Sequence, residues 1–229
     1  MMKNGIQVAI DGPASAGKST VAKLVAKRFK YVYCDTGAMY RVVTLAALEK
    51  GIAPDDTDQI SRLAQQISIS FAPGDPEQQV FLDGREVTTA IRQAEIDQNV
   101  SAVAAIPAVR REMTNQQRTI ASQGGIVMDG RDIGTTVLPD APVKIFMVAT
   151  AYERARRRYV ENKAKGIATA SLADLQKEIE LRDQKDSSRK VSPLVQAPDA
   201  VRLDTTDLTI DQVVDRISVI IKKTLNELR

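Results

Sequence analysis

Apolar residues along this chain switch repeatedly between short unbroken runs and a repeat of three to four positions. The runs mark buried strands and the repeats mark amphipathic helices, so their alternation predicts a parallel sheet wrapped by helices. Strands are expected over residues 7–10, 31–34, 126–128, 143–149 and 201–203. Helices are expected over 19–30, where Val21, Leu24, Val25 and Phe29 keep the repeat, over 37–50 up to Gly51, and over 58–66. A long helix ends at Gly124-Gly125, ahead of the run Ile126-Val127-Met128 that closes on Asp129. Thr150 stands where an N-cap of the following basic helix belongs. Thr209 and Gln212 have capping-box spacing before a C-terminal helix whose Val213, Ile217, Ile220 and Ile221 share one face.

One stretch leaves this rhythm. Ile67-Ser68-Ile69-Ser70-Phe71 alternates with period two, and Pro73-Gly74-Asp75-Pro76 reads as a turn. Residues 79–82 and 85–87 then flank Asp83-Gly84, a strong hairpin pair. A small antiparallel meander is therefore expected inside the parallel α/β unit. The chain shows no internal repeat, low-complexity tract or interdomain linker.

Composition adds bounds. At 229 residues, 43% hydrophobic and 27% charged, the chain has the size and balance of one α/β domain with a sizeable core. A net charge of +3 is too mild to indicate nucleic acid, and 4% aromatics without tryptophan argue against stacking platforms for single strands. A single cysteine, Cys34, excludes an internal disulfide framework and suits a reducing compartment. The start, Met1-Met2-Lys3-Asn4-Gly5, leads into a core strand rather than an apolar signal segment, and no stretch approaches membrane-spanning length. The chain is thus expected to be soluble and cytoplasmic, a monomer with neither nucleic-acid nor membrane partners. Histidine is absent, so any acid–base step near neutral pH falls to carboxylates, lysine or the substrate itself.

The chemistry enters directly after the first strand. Gly12-Pro13-Ala14-Ser15-Ala16-Gly17-Lys18-Ser19 matches G-x-x-x-x-G-K-[ST] at every required position, between a strand and a helix. Glycines let the backbone close around phosphates with its N–H groups inward, and the helix behind them offers its positive end. Lys18 is expected to reach the β- and γ-phosphates, and the Ser19 hydroxyl to ligate Mg²⁺. The expected ligands are therefore ATP and Mg²⁺.

Three constellations bear on the second substrate. Asp35-Thr36-Gly37-Ala38-Met39-Tyr40-Arg41 places a carboxylate, a hydroxyl and a guanidinium at a strand's C-terminal edge, where open α/β sheets bind ligands. Asp129-Gly130-Arg131-Asp132 does the same, with Asp129 as an acid near the metal and Arg131 able to fork onto a phosphate. Arg182, Asp186 and Arg189, at i, i+4 and i+7, are expected on one helix face. The run Arg154-Ala155-Arg156-Arg157-Arg158 suits either a solvated helix face or closure over a triphosphate.

Together these motifs, spread from Gly12 to Arg189, resemble the bacterial cytidylate kinases, which are P-loop nucleoside monophosphate kinases. The resemblance implies a P-loop three-layer fold with a five-stranded parallel sheet. It further implies a monophosphate-binding lobe over about 36–112, enlarged by a small antiparallel sheet at about 67–90, and a helical lid at 150–170. It implies transfer from ATP to CMP or dCMP. Thr36, Arg41 and Arg131 would hold the monophosphate, next to Asp35. Ser101, Arg110 and Asp132 would read cytosine. Arg182 and Asp186 would hold the ribose side, and Arg189 the phosphates. The lid would carry Arg154, Arg157 and Arg158. This chain departs from the pattern in having Thr36 where some members have serine, and Lys18-Ser19 where others have Lys-Gly-Thr, which leaves the metal to Ser19 or Thr20.

Two other functions fit the loop less well. A hydroxyl kinase with Asp35 or Asp132 as base leaves Ser101, Arg110 and the meander without a role. A GTPase-type switch needs Asn-Lys-x-Asp, and the nearest string, Asn162-Lys163-Ala164-Lys165, has lysine in place of the carboxylate.

Overall fold

In a computed structural model, which describes residues 5–72, 74, 78–164, 166 and 170–228, the chain divides into two compact units. One comprises residues 1–33 and 121–229, the other residues 34–120.

The first unit is organised by the parallel sheet, ordered β2-β6-β1-β7-β8. The strands are β1 (Gln7–Asp11), β2 (Val32–Asp35), β6 (Ile126–Gly130), β7 (Val143–Val148) and β8 (Val201–Asp204). Their registers bring the ends together: Asp11 lies opposite Gly130 and Phe146, and Val148 opposite Asp204. The loops after β1, β6, β7 and β8 therefore all leave from one edge of the sheet. Helices α1 (Lys18–Phe29) and α8 (Ile210–Glu227) cover this sheet. Val21 and Val25 of α1 and Val213, Ile217 and Ile221 of α8 join Val8, Ile10, Val127 and Ile145 in one buried cluster. The capping box at the start of α8 forms as expected, between Thr209 and Gln212. α6 (Ala151–Ala164) and α7 (Leu172–Ser188) pack on a small core of their own, Ala155, Leu175 and Ile179. Thr150 Oγ1 accepts the Glu153 N–H at 3.3 Å, as an N-cap does.

The second unit has a separate core. α2 (Thr36–Glu49), α3 (Thr57–Gln66), α4 (Ala94–Val103) and α5 (Pro107–Ala121, all but its last residue) bury Met39, Val43, Ile60, Val100, Val109 and Met113 together. The expected meander is present as β3 (Ile69–Ala72), β4 (Gln79–Leu82) and β5 (Arg85–Glu86), all antiparallel. Asp83 and Gly84 both take positive φ, 50° and 82°, the backbone of a type I′ hairpin. Of the turn Pro73-Gly74-Asp75-Pro76, only Gly74 is among the described residues. Cys34, near the end of β2, is buried. Among the described residues no helix is long and apolar enough to cross a membrane.

Candidate active site

β1 delivers the loop Gly12–Ser19 at the sheet edge. Gly12 has φ 149°, and a Cβ there would lie 2.1 Å from the Met147 carbonyl oxygen of the neighbouring strand, so only glycine fits. Ser15 and Gly17 take left-handed φ values of 58° and 84°, and α1 starts at Lys18. Lys18 is buried, and its Nζ donates to the Pro13 carbonyl at 2.7 Å. Burial and then the Arg131 guanidinium pull its ammonium down to about 7, against the opposing charges of Asp129 and Asp11. A cation destabilised in this way, at a helix N-terminus, is a seat for a polyanion, which restores its charge.

Ser19 Oγ donates to Asp129 Oδ2 at 2.8 Å, and the Tyr33 hydroxyl donates to Asp129 Oδ1, also at 2.8 Å. A hydroxyl and a buried carboxylate side by side are the hard oxygen donors that Mg²⁺ takes when phosphates supply its other ligands. Thr20, the other expected hydroxyl, is exposed.

β6 carries Asp129 and Gly130 to the same edge, with Arg131 and Asp132 beyond. Arg131 Nε donates to Asp186 Oδ2 at 3.0 Å. Asp132 is buried, and a wide π-helical turn, Ile133–Val137, follows it. Asp11 orients that turn: its carboxylate accepts the N–H groups of Ile133 at 2.8 Å and Gly134 at 2.7 Å. Burial raises the Asp11 carboxyl to about 6, although these two N–H bonds oppose the rise.

Arg182 and Asp186 lie on α7, but Arg189 does not share their helix face. The helix ends at Ser188, and Arg189 has extended backbone (φ −66°, ψ 142°). The Leu194 N–H takes up the Asp186 carbonyl, turning the chain back, and Arg189 Nε donates to the Ser192 carbonyl at 2.6 Å. Its guanidinium still reaches within 3.7 Å of Asp186 and 3.8 Å of Asp132.

The basic helix is α6. Arg156 pairs with Glu153 at its surface. Arg157 donates to Glu153, to the Thr205 carbonyl at 2.5 Å and to the Thr206 carbonyl at 3.3 Å, which ties it to the loop after β8. Arg154 is buried against the phosphate loop, and Arg158 is half-buried. Of the lid expected at 150–170, residues 165 and 167–169 lie outside the described residues.

In the second unit, Asp35 caps α2 by accepting the Ala38 N–H at 2.9 Å and pairs with Arg92 at 2.8 Å. Burial opposes ionisation of Asp35, but the charge and hydrogen bond of Arg92, with the Ala38 N–H, outweigh it and hold the carboxyl below its ordinary value. Thr36 is the buried first residue of α2. Arg41 donates to the Ile91 carbonyl at 3.1 Å and pairs with Asp97 at 2.5 Å. Arg110, fully buried, donates to the Ala104 carbonyl at 3.1 Å and lies 5.1 Å from the Tyr40 ring centre, a cation–π arrangement. Ser101 is half-buried on α4.

Comparison with known proteins shows the family. The cytidylate kinase family model matches residues 8–223. The chain belongs to the cytidylate kinase family. A cytidylate kinase of Limosilactobacillus reuteri (strain DSM 20016) is 73% identical over 227 residues, which cover 99% of this chain and 100% of that protein. The cytidylate kinase of Bacillus cytotoxicus (strain DSM 22905) is 52% identical over 226 residues, again 99% of this chain and 100% of that protein. Among solved structures, a gluconokinase from Sinorhizobium meliloti 1021 has a TM-score of 0.50 at 13% identity, covering 100% of this chain and 97% of that one. This last likeness concerns the fold alone.

Sequence reasoning brought the family's motifs to light but missed the residues that hold them. Tyr33, Arg92, Asp97 and Asp183 all bond to predicted site residues or to the phosphate loop, and Asp11 bonds to the turn that follows Asp132. For Asp11, the available signal was a lone carboxylate at the end of an apolar strand. The other four carry no local signal, because their partners lie far away in sequence.

Proposed function

We propose that this chain transfers the terminal phosphoryl group of ATP to CMP or dCMP, producing ADP and CDP or dCDP. Membership of the cytidylate kinase family across residues 8–223 carries the proposal. The acceptor's phosphate oxygen forms a bond to the γ-phosphorus while the bond from that phosphorus to the β–γ bridging oxygen breaks. The second ionisation of a phosphate ester lies near pH 6, so at pH 7 the nucleophile is already largely deprotonated. No general base is needed, which suits a chain without histidine.

Residues 12–20 hold the donor phosphates, with the Lys18 ammonium on the β- and γ-oxygens and its charge restored by them. Ser19 and Asp129 would hold Mg²⁺, which would supply neutralisation of phosphate charge. Arg131 steadies the transferred group, and Arg157 and Arg158 of the lid add charge neutralisation. Thr36 and Arg41, next to Asp35, bind the acceptor phosphate. Ser101, Arg110 and Asp132 read the base. Cytosine offers an amino donor at N4 and acceptors at N3 and O2, which suit a carboxylate and a guanidinium. Uracil presents an acceptor at position 4 and would oppose Asp132. Arg182 and Asp186 bind the ribose side, and Arg189 the phosphates. The enzyme acts as a cytoplasmic monomer with small-molecule substrates.

Coupled ADP release with ATP·Mg²⁺ against CMP, dCMP, UMP, AMP, GMP and shikimate tests this. Turnover with CMP and dCMP well above UMP is expected. Turnover with shikimate alone would discard the monophosphate acceptor. ATP binding without turnover of any acceptor would discard the kinase reading.

A further inference from the structure

Ala14 of the phosphate loop is held at both of its backbone groups by one ion pair. Its N–H donates to Asp183 Oδ1 at 3.2 Å, and its carbonyl accepts from Arg154 at 2.9 Å. Arg154 and Asp183 pair with each other at 2.7 Å, with side chains only 6% and 20% exposed. Arg154 Nε also donates to the Ala149 carbonyl at 3.0 Å, just before α6. All three nitrogens of the guanidinium therefore face protein acceptors, and its charge is met by Asp183. These contacts join three pieces of chain: the loop, the start of α6 and the last third of α7. Ala155, Leu175 and Ile179 pack beside them and keep the two helices together.

We propose that Arg154 and Asp183 are positioning residues that set the phosphate loop before nucleotide arrives, and that Arg154 is not a ligand of the triphosphate. The inference rests on residues 12–20 being the donor-phosphate loop. The residue after Ala14 shows why a brace is needed. Ser15 takes a left-handed φ of 58°, a conformation that costs a residue with a side chain and persists only where its surroundings impose it. Clamping the N–H and carbonyl of the preceding residue limits the rotations through which Ser15 could relax. An empty loop held in this way loses less conformational freedom on binding, which strengthens binding without any new contact to the ligand. A buried arginine already matched by a carboxylate also gives up that match to reach a phosphate, and leaves the partly buried carboxylate uncompensated.

The two roles separate in a double-mutant cycle on the full chain, with Arg154→Gln, Asp183→Asn and the double variant. The readouts are the Kd of ATP without acceptor, by calorimetry, and the KM of CMP. As positioning residues, each single variant weakens ATP binding by about tenfold, and the double variant does no worse than the weaker single one, because both break the same brace. The KM of CMP stays within about twofold, a split that general loss of stability does not produce. If Arg154 binds the triphosphate, Asp183→Asn frees it, and ATP binding is unchanged or tighter while Arg154→Gln alone weakens it. That result overturns the proposal, as does strict additivity. Should Arg154→Gln fail to fold, Asp183→Asn, which keeps volume and shape, still separates the roles by the direction of its effect. Wild-type protein that binds ATP but phosphorylates no CMP refutes the proposed function and leaves the brace standing. Wild-type turnover of CMP with wild-type ATP affinity in Asp183→Asn refutes the brace alone.

Discussion

The two units hold their functional groups in different ways. In the first, main-chain groups anchor several of them. Lys18 rests on the Pro13 carbonyl, Asp11 on two N–H groups, Arg157 on the carbonyls of residues 205 and 206, and Ala14 in the grip of Arg154 and Asp183. In the second unit side-chain pairs add to the main-chain bonds of Arg41, Arg110 and Asp35: Arg41 with Asp97, Arg92 with Asp35, and Arg110 over Tyr40. A site built on backbone depends on the course of the chain, which the sheet registers impose. A site built on ion pairs depends on the identity of a few side chains carried by helices.

The largest effect that would test this contrast is in the first unit. Lys18→Ala is expected to lower kcat by about three orders of magnitude or more, as loss of a charge on the transferred group does, with no fall in melting temperature. The Tm should hold because the variant also removes a buried cation whose pKa burial has pulled down to about 7. Near-normal turnover would mean that the loop's backbone alone carries catalysis. Next in size, Asp132→Ala is expected to shrink the preference for CMP over UMP by about 10–100-fold. An unchanged ratio in competition assays would move base recognition wholly to the second unit.

Smaller still, Asp35→Asn removes the ion pair with Arg92 and weakens the α2 cap, at a cost of about 1–3 kcal/mol by urea unfolding at pH 7. The carboxyl of Asp35 is lowered on folding from 3.8. Its contribution is therefore present above pH 3.8 and is lost as pH falls through the lower, folded value. Wild-type protein should thus lose its margin over Asp35→Asn on acidification below that point, and a margin constant with pH would sever the ion pair from stability. The smallest effect is Thr209→Ala, about 1 kcal/mol of stability from the lost cap, with KM values for both substrates unchanged.

Legibility in the sequence followed the range of the interactions. β1, the hairpin at Asp83-Gly84 and the capping box at Thr209 are decided within a few residues, and their outlines match the pattern. A long helix does end ahead of Gly124, as α5, while α4, separated from it by a break at residues 104–106, was not among the expected elements. Pro107 marked that break, since proline favours the first turn of a helix. Arg189 kept helical spacing on paper, but the turn back to Leu194 ended the helix before it. The partners of Arg41, Asp129 and Arg154 were not legible, because pairs 56, 96 and 140 residues apart in the chain meet only once the fold exists.

Cys34 offers a view of motion that needs no engineering. It is the chain's single thiol, 1% exposed, near the end of β2. A thiol reagent can attack only in the instants when that part of the strand comes open, so the labelling rate counts those instants. If exposure requires the whole molecule to unfold, ATP at about a hundred times its Kd slows labelling about a hundredfold, by mass action alone. If the strand end frays by itself, ATP leaves the rate untouched. One residue with no part in the chemistry thus serves as a clock for how the fold breathes.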